Sequence, residues 1–299
     1  MKPNIDTFSS YHPLINFLWF GLVLVFSMFF LHPVCLGLSL LCAFAYSIYL
    51  TGAKAARRNF FFLLPLLLIT ALLNPAFNHE GATILAYLPN GNPLTWESVC
   101  YGLAAGTMLA AVICWFTCYS LVLTSDKFVY LFGRLIPALS LVLSMTLRFV
   151  PKFKAQLRVV NNAQRAMGRD VSSGGVLARA GQGLMVLSIM ITWALENAIE
   201  TADSMRARGY GLPGRSAFSI YRWSRRDSRA LAFVLVAGAY IIAGRACAAF
   251  TWRYFPTLQG TLTGFFPLSV YLVYLALLAL PLLLDVAAAR QWQRKERTR

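Results

Sequence analysis

The chain has 299 residues, 58% of them hydrophobic, and carries 27 Lys or Arg against 11 Asp or Glu, a formal net charge of +16. At a mean hydropathy of +0.61, with several apolar runs approaching the ~20 residues that cross a bilayer core, it is not a soluble chain. Its cations sort with membrane topology and with anionic lipid, at roughly 1 kcal/mol per basic residue near the surface, and are not read as nucleic-acid binding.

The start, MKPNIDTFSS, holds one cation, and no small-residue cleavage site follows the first apolar run, so no removable signal peptide is expected. Apolar runs at 14–31, 34–50, 60–73, 99–123, 230–250 and 265–284 predict six spans. The third is short, and the His32-Pro33 break reads as either a tight hairpin or a kink. The fold class expected is all-α: a polytopic integral membrane protein of about six spans with amphipathic cytoplasmic helices. It divides into N-terminal spans (1–125), an amphipathic cytoplasmic region (126–229), and C-terminal spans with a basic tail (230–299).

Short cytoplasmic loops collect Lys and Arg. With the N-terminus inside, the inner side receives Lys2, the cluster Lys54, Arg57 and Arg58, the tail RQWQRKERTR, and all of 126–229, where sixteen Lys or Arg face six acidic residues. The segment 74–98 carries no Lys or Arg, and only Arg245 and Arg253 fall at or beyond the outer boundary. A cell-membrane protein with both termini cytoplasmic is expected. Cys35, Cys42, Cys100, Cys114, Cys118 and Cys247 lie in or beside apolar runs without a CxxC pair, and read as small hydrophobes.

In 126–229 two helical pieces are split by the breaker SSGG at 172–175. The first follows Pro151 and reads PKFKAQLRVVNNAQRAMGRD. At 100° per residue Lys154, Arg158, Arg165 and Arg169 fall within about 60°, opposite Phe149, Phe153, Leu157, Val160 and Met167, and Gly168 is a stop. The second runs from about 176 to 208. Its apolar core, LMVLSIMITWAL, is too short to span by itself, and Glu196, Glu200 and Asp203 then share one face. Arg206, three residues after Asp203, can be neutralised in its own helix, a pair worth a few tenths of a kcal/mol. Arg208 lies about 140° from Asp203 and is left over at the helix C-terminus, with Gly209 as left-handed cap. It serves either as a cap touching lipid phosphate or as a contact for a partner.

Ala207-Arg208-Gly209, inside SMRARGYG, resembles the second Ala-Arg-Gly motif of the transmembrane T component of energy-coupling factor transporters. NAQRAMGRD is similar to that family's first motif, and the spacing of the motifs and spans fits over nearly the whole chain. One departure stands out: aligning Ala163, Gln164 and Gly168 puts Met167 where the family has arginine. Either Arg165 or Arg169 substitutes from the basic ridge, or the first contact is apolar. The resemblance implies a membrane scaffold in a vitamin or metal-ion importer. Two coupling helices, ending at Arg165, Ala166 and Gly168 and at Ala207, Arg208 and Gly209, would dock on two ATP-binding cassette ATPases. A small membrane S component would capture the substrate. The protein itself would be no enzyme and hold no cofactor, metal or nucleic acid, with lipid its remaining partner.

No Gly-Lys dipeptide followed by Ser or Thr occurs, so ATP is not bound in the P-loop manner. The alternative is an ion-driven secondary transporter with its own substrate site. Such carriers place ionisable residues in their spans and repeat broken helices; here Asp285 stands only at a span end and no internal repeat is seen. A membrane enzyme finds no support in His12, His32 and His79, which are scattered and lack HExxH spacing.

Overall fold

In a computed structural model the described residues are 7–87, 91–133, 137–169, 175–212, 221–247, 250–261 and 264–297. Lys2, Arg215 and most of the 172–175 breaker lie outside them. By contacts the chain forms two units, Met1–Lys127 with Tyr221–Arg299, and Phe128–Ile220. Residues 221–229, grouped by sequence with the cytoplasmic region, thus pack in the first unit.

The first unit opens with a short 3-10 turn (Phe8–Ser10), then α1 (Pro13–Phe29) and α2 (Pro33–Thr51). Both helices start on a His-Pro pair. His12 Nδ1 accepts from Leu14 N–H and His32 Nδ1 from Val34 N–H, each at 3.3 Å, while proline fills the first helical position, where no N–H is needed. The break at His32-Pro33 is a chain reversal. The hydroxyls of Ser27 and Ser39 lie 2.7 Å apart, whereas twelve residues of continuous helix would separate them by about 18 Å.

Next come α3 (Ala53–Phe77), a hairpin of β1 (Ile84–Tyr87) and β2 (Pro93–Thr95), and α4 (Trp96–Val122). The third apolar run is short only in sequence; α3 has 25 residues and carries Pro65 and Pro75 within it. It lies close against α4 because Gly102 and Gly106 remove side chains from the contact: a Cβ at Gly102 would stand 3.1 Å from the Ala71 backbone. Membrane helices approach closely through this small-xxx-small spacing. After α5 (Ser125–Gly133) and the second unit, α8 (Arg225–Ala246), a two-residue ladder of β3 (Trp252–Arg253) with β4 (Gln259–Gly260), and α9 (Phe265–Arg297) complete the chain.

The core of the first unit is aromatic. Trp19, Trp115, Tyr46, Tyr274 and Phe20 are fully buried, and the Trp19 and Trp115 rings meet edge-on at 5.4 Å. Each indole finds an acceptor, Trp19 at Leu277 O (2.9 Å) and Trp115 at Ser39 Oγ (3.0 Å), as buried polar groups in apolar surroundings require. Among the described residues six helices are long and apolar enough to cross a membrane: α2, Arg57–Phe77 of α3, α4, α7 (Val176–Ala207), α8 and Phe265–Trp292 of α9. This set differs from the sequence expectation at two places. The helix α1, 17 residues long, is the shorter apolar one, and α7 enters because its helix runs on for 32 residues around the apolar core that seemed too short. The all-α polytopic membrane fold stands.

The second unit holds α6 (Pro137–Ala166) and α7. Pro151 does not begin a helix, as its sequence position suggests, but sits inside α6. The pair packs through Val160 on α6 and Val186 and Met190 on α7, flanked by Phe153 and Trp193, whose rings meet edge-on at 5.3 Å. Lys152 lies over the Trp193 ring and donates to Asn197 Oδ1.

Candidate coupling site

Both helices of the second unit end in the same way. Past Ala166, Gly168 takes φ +76°; its N–H bonds Arg165 O at 3.0 Å, and Arg169 N–H reaches back to Gln164 O at 2.9 Å. Past Ala207, Gly209 also takes φ +76°; its N–H bonds Arg206 O at 2.9 Å, and Tyr210 N–H reaches Met205 O at 3.0 Å. This is the Schellman closure, which satisfies the last carbonyls and favours glycine at the left-handed position. It makes R-A-M-G-R and R-A-R-G-Y equivalent residue by residue. Met167 and Arg208 hold the same cap position, Arg165 and Arg206 the same place in the last turn.

The contacts of α6 with α7 run in opposite order along the two helices. Phe153 meets Trp193, Val160 meets Val186, and Arg169 Nη1 reaches Met185 Sδ at 3.4 Å. The helices are therefore antiparallel, and the two glycine-capped ends lie at opposite ends of the pair. Arg208 shares a groove with Met145 and Arg148, some eighteen residues of helix from Ala166, so the caps stand about 27 Å apart. The sequence-selected residues thus form two sites: Arg165, Ala166 and Gly168 at one end, Ala207, Arg208 and Gly209 at the other.

The groove at the Arg208 end has a volume of about 490 Å³ and is lined also by Lys152, Asn197, Glu200, Ser204 and Met205. Arg148 and Lys152 were not selected from sequence, although both lie on the same helix as the basic ridge. Arg206 and Asp203 form no ion pair; both residues are exposed, and an exposed pair gains too little to hold two flexible side chains in one geometry. Met167 is 60% exposed and packs into no apolar face. Of the apolar stripe drawn from sequence, Phe153 and Val160 face α7 while Leu157 stays 40% exposed. A second groove of about 440 Å³, lined by Phe153, Leu157, Val186, Leu187, Met190 and Ile191, is almost wholly apolar. Among the described residues no group of three His, Cys, Asp or Glu could hold a metal ion.

A family model described as CbiQ, cobalt transport protein, matches residues 8–220. The chain is 37% identical over 106 residues to the energy-coupling factor transporter transmembrane protein EcfT of Lactobacillus helveticus (strain DPC 4571), a stretch covering 35% of this chain and 38% of that protein. It is 34% identical over 108 residues to EcfT of Bacillus selenitireducens (strain ATCC 700615 / DSM 15326 / MLS10), covering 36% and 40%. To EcfT of Lacticaseibacillus paracasei (strain ATCC 334) it is 36% identical over 109 residues, covering 36% and 41%. The chain therefore spans about two fifths of the length of the curated relatives it matches.

Proposed function

The chain belongs to the CbiQ cobalt transport protein family, and from that premise we propose that it is the transmembrane T component of an energy-coupling factor importer for a vitamin or metal ion. It couples two ATP-binding cassette ATPases to a small membrane S component and hydrolyses no ATP itself. Its relatives bear the name of energy-coupling factor transmembrane proteins. The observation that carries the reading is the pair of identically capped helix ends, about 27 Å apart on one antiparallel pair, which offers two separated docking points to two similar partners.

Chemistry supports the same assignment of roles. A guanidinium presents five donors in a rigid fork and can clamp carboxylates or carbonyls of a partner's groove. Arg208 carries this fork at a cap position, exposed, with Gly209 turning the chain away behind it. At the other end Ala166 and Gly168 provide the same turn, Met167 supplies an apolar contact, and Arg165 or Arg169 supplies charge. The apolar groove along Leu157, Val186 and Met190 suits the S component. With region 126–229 cytoplasmic, charge puts both termini on the cytoplasmic side.

Affinity purification from native membranes in mild detergent tests the reading. Two ATPases and a small, very hydrophobic protein should accompany the parent chain. Arg208→Ala should insert normally but lose the ATPases, by roughly 2–4 kcal/mol of docking energy if the fork is a buried anchor. Arg206→Ala should keep them. Equal loss from both variants would sink the assignment of Arg208, and a chain purified alone would sink the T-component reading.

A further inference from the structure

A lysine buried at the end of a membrane bundle is costly unless its donors are met. Lys127, the last residue of the first unit before the chain leaves for the second, is 5% exposed. Its Nζ donates to Ser9 O at 2.6 Å, Ser9 Oγ at 2.7 Å and Val122 O at 2.7 Å. The last of these is a terminal carbonyl of α4, so the ammonium also meets the negative end of that helix. The Asn16 amide, oriented to satisfy both its ends, accepts from Lys127 Nζ at 3.2 Å and donates to Phe8 O at 3.0 Å.

The returning chain grips the same segment. Just after Tyr221, the capping-box carboxylate of Asp227 accepts from Ser224 N–H at 2.8 Å and from His12 N–H at 3.3 Å. Arg226 Nη2 donates to Ser10 O at 2.8 Å, and its guanidinium lies 4.8 Å over the Tyr11 ring. The rings of His12 and Trp223 stand 4.9 Å apart. From α9, Asp285 Oδ1 accepts from Phe8 N–H at 2.7 Å. Every residue of 8–12 is therefore held by a side chain, and the holders of Ser9 to His12 cluster where the chain departs toward the second unit and where it returns.

We propose that 8–12 is the mount of the coupling unit, a bracket that fixes the outgoing connector through Lys127 and the returning one through Arg226. Both are positioning residues for energy coupling, a role that rests on the T-component reading. A connector tied at its root passes movement of α6 and α7 into the bundle; one that is loose at its root lets the helices move without effect on the spans. Phe8 itself packs in the aromatic core, its ring 5.4 Å from Trp19, so the tie to the two connectors rests on the polar bonds of Lys127 and Arg226 to Ser9 and Ser10.

The test compares the parent complex with Lys127→Met, Arg226→Gln and the double variant, reading co-purified ATPase, ATP hydrolysis and substrate uptake on the same preparations. Co-purification and hydrolysis should stay near the parent's, while uptake per ATP hydrolysed falls at least about fivefold in the double variant, the scale of a typical coupling effect. Arg226→Lys, which keeps a donor for Ser10, should retain the ratio. An unchanged ratio in a double variant that still binds its ATPases overturns the bracket. If Lys127→Met fails to insert, Arg226→Gln decides alone, since its bond to Ser10 is exposed: a lowered ratio supports the mount and a parental one overturns it. A parent that brings down no ATPase would instead overturn the T-component reading, and this inference with it.

Discussion

At the scale of single residues, the helix caps connect sequence to behaviour most directly. Met167 departs from the family pattern; it occupies the cap position equivalent to Arg208 and stays 60% exposed. Met167→Arg should therefore leave the fold within about 0.5 kcal/mol of the parent and hold or strengthen ATPase co-purification. A folding defect in thermal unfolding would place Met167 in a packed face after all. His32 is a different case. It is buried between α1 and α2, with Nδ1 on Val34 N–H and Nε2 3.1 Å from Tyr271 OH. Burial pulls its pKa below the ordinary 6.5, and the Thr261 carbonyl offsets only part of that. The unfolded chain takes up the proton first, so stability is complete above about pH 6.5 and declines as pH falls below it, toward the lowered folded value. Thermal unfolding of the detergent-solubilised chain should shift downward between about pH 7.5 and 5. His32→Asn, which keeps a capping acceptor and loses the titration, should flatten that slope; an unchanged slope would assign it to other groups.

At the scale of elements, legibility depended on the range of the signal. The membrane spans were readable because an apolar run carries its own evidence, and the ends of α6 and α7 were readable because Gly168 and Gly209 are local. Proline misled at Pro151: the rule that proline starts or breaks a helix gave way to a 30-residue α6 that contains it. The hairpin at His32-Pro33 could not be settled from sequence, since the deciding contact joins Ser27 to Ser39 on different helices. Nor could Lys127 be singled out: it counted as one of sixteen cations in 126–229, and only its burial against Ser9 and Val122 separates it from the rest. The α3–α4 contact offers an element-scale prediction. A side chain at Gly102 meets the Ala71 backbone and Asn74 Cβ, each at 3.1 Å from where its Cβ would stand, and helix backbone cannot yield as a flexible side chain can. Gly102→Leu should destabilise the bundle by about 1–3 kcal/mol, seen as a lowered midpoint of thermal unfolding. The same change at Gly37, which has nothing within 4 Å of a built Cβ, should cost little; equal losses at both sites would deny the close approach its importance.

At the scale of the whole molecule, the chain leaves its first unit after Lys127 and re-enters it at Tyr221, and both ends of that unit are tied to adjacent residues. Lys127 holds Ser9, and Arg226 holds Ser10, so the roots of the two connectors lie within a few side-chain lengths of each other. The second unit, Phe128–Ile220, is in that sense an insertion between neighbouring points of a bundle whose aromatic core, from Phe8 and Trp19 to Trp115, Phe250 and Tyr274, includes no described residue of that unit. Replacing it with a Gly/Ser linker of about eight residues, whose end-to-end distance of about 16 Å matches such a gap, should give a chain that still inserts and elutes as a single species in detergent. Its thermal midpoint should stay close to the parent's, because the indole and serine bonds of the core are untouched. ATPase co-purification should vanish, since both capped helix ends are gone. An aggregated product would show that the bundle needs the second unit to fold. A well-folded product that still brings down the ATPases would move the docking surface off α6 and α7 and onto the membrane unit itself.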